Sequence, residues 1–150
     1  PERAMQFQRL AERYQLRLER GDRLIESLTA FVARERLGYA ALSGLGAISW
    51  ISVAYFDVER REYEVHDIEE QLEVTSLVGN ISLREGKPIV HAHATLGRRD
   101  LSVLGGHVME AIARPTLEIW LSPEEDAVNR LPDEDSGLWL MNLPDRLDGR

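Results

Sequence analysis

Ala47-Ile48-Ser49-Trp50-Ile51-Ser52-Val53-Ala54-Tyr55-Phe56 is the stretch that decides the fold. Its pattern is that of a strand, not a helix, and it is apolar on both faces in places. A strand of that kind sits in the middle of a sheet, or under a helix or a partner chain. Residues 47–57 are therefore read as a long central strand, and the rest of the chain is placed around it.

Downstream, residues 61–66 and 70–81 continue the strand pattern. In the second, Leu72, Val74, Ser76 and Val78 alternate with Glu73, Thr75, Leu77 and Gly79. Arg84-Glu85-Gly86-Lys87-Pro88 reads as a turn, and Ile89 to Leu96 as the next strand. After a turn at Gly97 to Asp100, Leu101 to Leu104 leads into Gly105-Gly106-His107. Residues 108–112 are expected to form one helical turn, Pro115 to Leu121 a strand, and Leu138 to Leu143 a weaker one. Ser122 to Gly137, rich in acid, proline and asparagine, reads as a surface loop with a turn of helix.

Upstream, Tyr39 to Ser43 reads as a short strand. Gly44-Leu45-Gly46 is a tight bend; it lacks the rest of a dinucleotide-binding fingerprint. Leu24, Leu28, Phe31, Val32 and Glu35 fall on one side of an amphipathic helix of about four turns. Asp22 is expected to cap its start and Gly38 to stop it. Tyr14, Leu16 and Leu18 alternate with polar neighbours as a half-buried strand. The fold class expected is α+β: residues 1–150 as one domain, core about 13–143, with a mainly antiparallel twisted sheet packed against one long helix and short helical turns.

The 150 residues are 43% hydrophobic and 29% charged, enough for one domain with its own core. There is no cysteine, which excludes disulfides and thiolate-metal sites. No apolar run reaches the ~18 residues of a membrane span, and none resembles a secretory leader, so a cytoplasmic protein is expected. The formal net charge is −8, against the basic surface that phosphate binding needs. Arg60-Arg61 and Arg98-Arg99 are the only adjacent arginine pairs, and direct DNA binding is not expected.

The chemistry concentrates in one window. His91-Ala92-His93 sits on a predicted strand, and His107 follows a glycine pair. Residues i and i+2 of a strand share a face, so both imidazoles of the pair project together. Ala92 and Ala94 let the opposite face pack closely. Gly105-Gly106 permits backbone approaches that a Cβ would forbid and can bring His107 alongside. Three imidazoles suit a divalent ion: Zn²⁺ first, with Ni²⁺, Cu²⁺, Co²⁺ and Fe²⁺ also compatible. Three protein ligands leave room for water, the arrangement of catalytic zinc. His66 reads as a surface residue. Glu110, three residues after His107, and Glu73, on a predicted strand, are the candidates for a catalytic base; Asp100 lies in a turn. There is no H-E-x-x-H, no Ser-His-Asp pattern and no P-loop.

Together these segments resemble the plants-and-prokaryotes-conserved (PPC) domain. The likeness is carried by Gly21-Asp22 to Phe31, Ala40 to Ala47, Leu72 to Ile81, His91-Ala92-His93 and Gly105-Gly106-His107, and spans about Leu16 to Leu143. The resemblance implies a mainly antiparallel sheet with a flanking helix, a homotrimer, and a metal held by His91, His93 and His107. In plant members, the segment corresponding to Glu70–Gly79 supports contacts with partner proteins. Prokaryotic members often carry a provisional DNA-binding label, but this chain has no Arg-Gly-Arg-Pro AT-hook core.

Trp50, Ile51, Val53, Tyr55 and Phe56 put bulk on both faces of one strand, which a partner subunit would cover. The C-terminal Leu138 to Met141 folding back is the alternative. The functions expected are a metal-dependent hydrolase or lyase, or a small-ligand site at the metal. The alternative is a non-enzymatic DNA-associated or protein-interaction module.

Overall fold

The computed structural model describes residues 4–145 and Leu147. The strands are β1 (Gln6–Leu10), β2 (Arg13–Leu18), β3 (Ala40–Asp57), β4 (Glu62–Ile68), β5 (Leu72–Arg84), β6 (Lys87–Gly97), β7 (Val103–Pro123), β8 (Asn129–Pro132) and β9 (Trp139–Asn142). The single helix among the described residues, α1 (Leu24–Glu35), lies between β2 and β3. The molecule is thus mainly β with one helix, and the expected short helical turns are absent from the described residues. Residues 108–112 are paired strand opposite Trp50 to Val53, and the 122–137 segment contains β8 instead of a helical turn.

All nine strands belong to one sheet, in the order β1-β2-β7-β3-β5-β8-β9, with β4 on β3 and β6 bridging β5 and β7. Pairing therefore runs from β3 to β5, β6 and β7 and back to β3, a closed circuit of antiparallel strands. Among the described residues the one parallel pairing is β5 with β8, through Leu83–Asn129 and Arg84–Arg130.

Two strands are longer than the sequence pattern suggested. The Gly44-Leu45-Gly46 bend is a register shift inside β3, which continues from Ala40 to Asp57. Gly46 has φ +143°, and a Cβ there would meet the Thr116 carbonyl oxygen and the Leu117 backbone of β7. Glycine thus bends the strand while its pairing continues. β7 likewise fuses the Gly105-Gly106-His107 segment, the expected helical turn and the expected strand at 115–121 into 21 residues.

The central strand behaves as expected. Ile51, Ser52, Val53 and Ala54 are all buried in succession, so both faces of β3 are covered there, whereas Tyr55 is 68% exposed. The C-terminal Trp139–Asn142 pairs with β8 at the far edge of the sheet.

Leu24, Leu28, Phe31 and Val32 of α1 are buried, as the i, i+4, i+7, i+8 spacing requires. Burying four such side chains contributes roughly 1.5–3 kcal/mol each. The ends of α1 differ from expectation. Arg23 holds the N-cap position and supplies no side-chain cap, while the Asp22 carboxylate accepts from the Glu19 N–H at 2.8 Å. The helix stops at Arg36, which turns left-handed at φ 55° and ψ 40°, short of Gly38. The Leu37 N–H closes on the Val32 carbonyl at 3.1 Å. Gly38 instead lies against Ala127, where a Cβ would approach the Ala127 Cβ at 2.6 Å.

Candidate metal centre

His91 and His93 project from β6, and His107 lies directly opposite His93 on β7. Cross-strand partners share a face, so strand alternation and pairing together bring three rings to one place. Their ring centroids are 5.1 Å (His91–His93), 5.3 Å (His91–His107) and 5.5 Å (His93–His107) apart. One nitrogen from each ring lies within 4.8 Å of the others. His91 and His107 are half-buried and His93 is exposed.

Glycine makes this closeness possible. A Cβ on Gly105 would collide with the Ala94 carbonyl oxygen of β6, and one on Gly106 would sit 2.7 Å from the Ala54 carbonyl oxygen of β3. Gly79 of β5 performs the same service against the His91 backbone. The expectation that Gly105-Gly106 permits a close backbone approach is met; neither glycine needs a positive φ.

The electrostatics keep His91 and His107 neutral. Burial, and then His91 and His93, push His107 down from 6.5 to about 4. Burial, the Arg130 guanidinium and His93 lower His91 as well. Neutral imidazole is the form that binds a metal. The Nδ1 of His107 is buried without a hydrogen-bond partner. A polar atom left so is costly unless something pairs with it, and an ion held by the triad would supply that partner. By donor type and spacing the three residues fit a divalent ion.

Two further side chains frame the triad. Tyr63 of β4 stacks on His107, with centroids 4.6 Å apart and ring planes at 27°. Arg130 of β8, only 8% exposed, points its Nη2 at the His91 Nδ1 from 3.5 Å. That contact is too long to fix which ring nitrogen carries the proton. The pattern of neither segment singles these residues out. Tyr63 sits in an alternating polar strand, and Arg130 in a stretch whose acid and proline content reads as surface loop.

Neither carboxylate candidate joins the triad. Glu110 turns to the start of α1, where its Oε1 accepts from the Ile25 N–H at 2.8 Å and its Oε2 from the Glu26 N–H at 3.2 Å. It supplies from another strand the cap that Arg23 lacks. The expected i+3 helical relation to His107 fails because both residues lie on β7, with a register shift against β3 between them. Glu73 is exposed and pairs with Gly97 near the start of β5, whereas His93 and His91 lie opposite Val78 and Asn80. His66 is exposed on β4 and does not belong to the convergent group. Asp100 accepts from the Ser102 hydroxyl at 2.6 Å within its turn.

The closed sheet, single flanking helix and strand-borne histidines define a recognisable architecture. The profile of the Plants and Prokaryotes Conserved (PCC) domain, the PPC domain of the sequence resemblance, matches residues 5–123. The chain belongs to this family. Three solved structures are similar over nearly their full lengths. A plant- and prokaryote-conserved protein from Pyrococcus horikoshii is 30% identical, with a TM-score of 0.83 over 95% of this chain and 96% of its own. A metal-containing protein from Archaeoglobus fulgidus is also 30% identical, at 0.82 over 95% of this chain and 100% of its own. A protein from Bacteroides thetaiotaomicron provisionally named as DNA-binding is 25% identical, at 0.90 over 93% of this chain and 98% of its own. No curated protein matches the chain. Among the described residues, no helix is long and apolar enough to cross a membrane.

Proposed function

We propose that this chain is a cytoplasmic, homotrimeric metal-binding protein whose ion, zinc in the first instance, is held by His91, His93 and His107. The observation that carries the reading is the triad itself: three imidazole nitrogens within 4.8 Å of one another, one of them on a ring whose Nδ1 is buried without a partner. The metal-containing relative from Archaeoglobus fulgidus supports it. Apolar side chains left exposed, Tyr55 at 68%, Val103 at 60% and Val78 at 58%, support the trimer.

A divalent ion with three imidazole ligands supplies a Lewis acid with a position open to water or ligand. The protein's own residues hold and orient it. His91 and His107 stay neutral through burial, and Tyr63 covers one ring. Glu110 is engaged at the start of α1 and Glu73 lies elsewhere on the sheet, so neither of the two candidate bases stands at the triad. That favours ligand binding at the metal over base-assisted hydrolysis.

A second reading, a DNA-associated or protein-interaction module, is favoured by the name of the Bacteroides relative and opposed by the net charge of −8. Metal content per chain, measured by plasma mass spectrometry on wild type and His91→Ala purified together, separates the readings. One ion per chain, lost in the variant, is the result expected. Folded wild type that takes up no zinc would leave the interaction module standing.

A further inference from the structure

Arg130 is the side chain that the triad alone does not explain. It is 8% exposed, and none of the ion pairs among the described residues includes it. Its partners are neutral: Nε donates to the Ser82 hydroxyl at 2.8 Å, Nη1 to the Trp139 carbonyl at 3.0 Å, and Nη2 to the Asn80 side-chain oxygen at 3.1 Å. A guanidinium carries five N–H donors, so each terminal nitrogen keeps one N–H without a short protein acceptor. One of these faces His91 across 3.5 Å. A buried cation surrounded by neutral groups is costly unless an anion joins it. A divalent ion bound by the three histidines would add two more positive charges beside it.

We propose that Arg130 receives an anion at this centre, and that the ligand class is a small carboxylate bound jointly by the guanidinium and the metal. The inference rests on the reading of the triad as a metal site and adds to it the chemistry of what the site takes. A guanidinium presents planar, parallel N–H pairs that match the two oxygens of a carboxylate. β8 exists in this place because it pairs in parallel with β5. That pairing carries Arg130 from an acid-rich segment to a point beside His91. A purely structural role, tying β8 and β9 to β5 through Ser82, Asn80 and Trp139, would explain the three satisfied donors but not the charge.

The test uses the full chain loaded with Co²⁺, whose visible absorption reports ligand exchange, titrated with acetate, with the neutral isostere acetamide and with inorganic phosphate. Acetate is expected to shift the spectrum, acetamide to leave it unchanged, and phosphate to bind more weakly than acetate. Arg130→Met is expected to retain one cobalt per chain and to weaken acetate roughly 10- to 100-fold, as loss of a charge-assisted pair does. Arg130→Lys, which keeps the charge but not the fork, should fall between. The inference is overturned if acetate and acetamide behave alike, if phosphate binds more tightly, or if Arg130→Met binds acetate within about twofold of wild type. Loss of cobalt from Arg130→Met overturns it too, because Arg130 would then hold the triad and not the ligand. If Arg130→Met does not fold, Arg130→Lys decides the matter in the same titrations. Wild type that takes up no cobalt overturns the metal reading itself, and is seen before any ligand is added.

Discussion

Replacing Glu110 by alanine separates two roles for the one carboxylate that sequence spacing put near the histidines. Its side chain, 16% exposed, accepts from the first N–H groups of α1 at 2.8 and 3.2 Å and lies 3.8 Å from the Arg23 Nε. Hydrogen bonds to a charged group contribute ~1.5–3 kcal/mol, a lost N-cap costs about 1 kcal/mol, and a carboxylate at a helix N-terminus contributes ~0.3–1 kcal/mol. These describe the same interaction and do not add. The expected cost of Glu110→Ala is about 2 kcal/mol, or a Tm lower by ~4–8 °C for a chain of this size. Glu110→Gln keeps one acceptor oxygen but loses the second acceptor and the charge, and should cost somewhat less than the alanine. The assay is thermal unfolding of metal-free protein followed by circular dichroism at fixed protein concentration, with zinc content measured in parallel. Zinc content should not change in either variant. An unaltered Tm with loss of zinc would refute the reasoning and return Glu110 to the metal centre.

Two other outcomes follow from the geometry of the triad. His107 titrates at about 4 when folded against 6.5 as an unperturbed group, so between those values the unfolded chain binds more protons. Metal-free stability therefore falls as pH drops from about 6.5 towards 4, with His91 acting in the same direction. The full shift corresponds to roughly 3.4 kcal/mol, and partial solvent access brings the expected loss to ~1–3 kcal/mol; denaturant midpoints at pH 7 and pH 4.5 check it, and equal stability would contradict it. Gly105→Ala would force β6 and β7 apart at the Ala94 carbonyl. It should cost ~1–3 kcal/mol and at least about tenfold in zinc affinity. Gly97→Ala, whose new Cβ would meet nothing closer than 3.4 Å, should retain zinc in the same titration.

What the sequence made legible was local. The apolar run through Ile51 to Ala54 announced a strand covered on both faces, the spacing of Leu24, Leu28, Phe31 and Val32 announced the helix, and His91 and His93 announced a shared face. What it concealed was set by pairing across distance. The glycines at 44 and 46 read as a turn because glycine punctuates turns, yet the partner β7 accommodates the bend and the strand continues. Residues 108–112 fit a helical turn in isolation, but β3 pairs with their backbone at Val108, Glu110, Ala111 and Ile112. Glu110 sits at helical spacing from His107, and only the fold shows that it caps a helix 85 positions earlier in the chain. Arg130 was the least legible of all, because its burial depends on the two-residue parallel pairing of β8 with β5.

X-ray absorption at the zinc edge on the zinc-loaded full chain tests the central claim most directly. The expected result is an imidazole shell of three nitrogens at ~2.0–2.1 Å, falling to two in His107→Ala. A shell made of oxygen, or one that His107→Ala leaves unchanged, would contradict it.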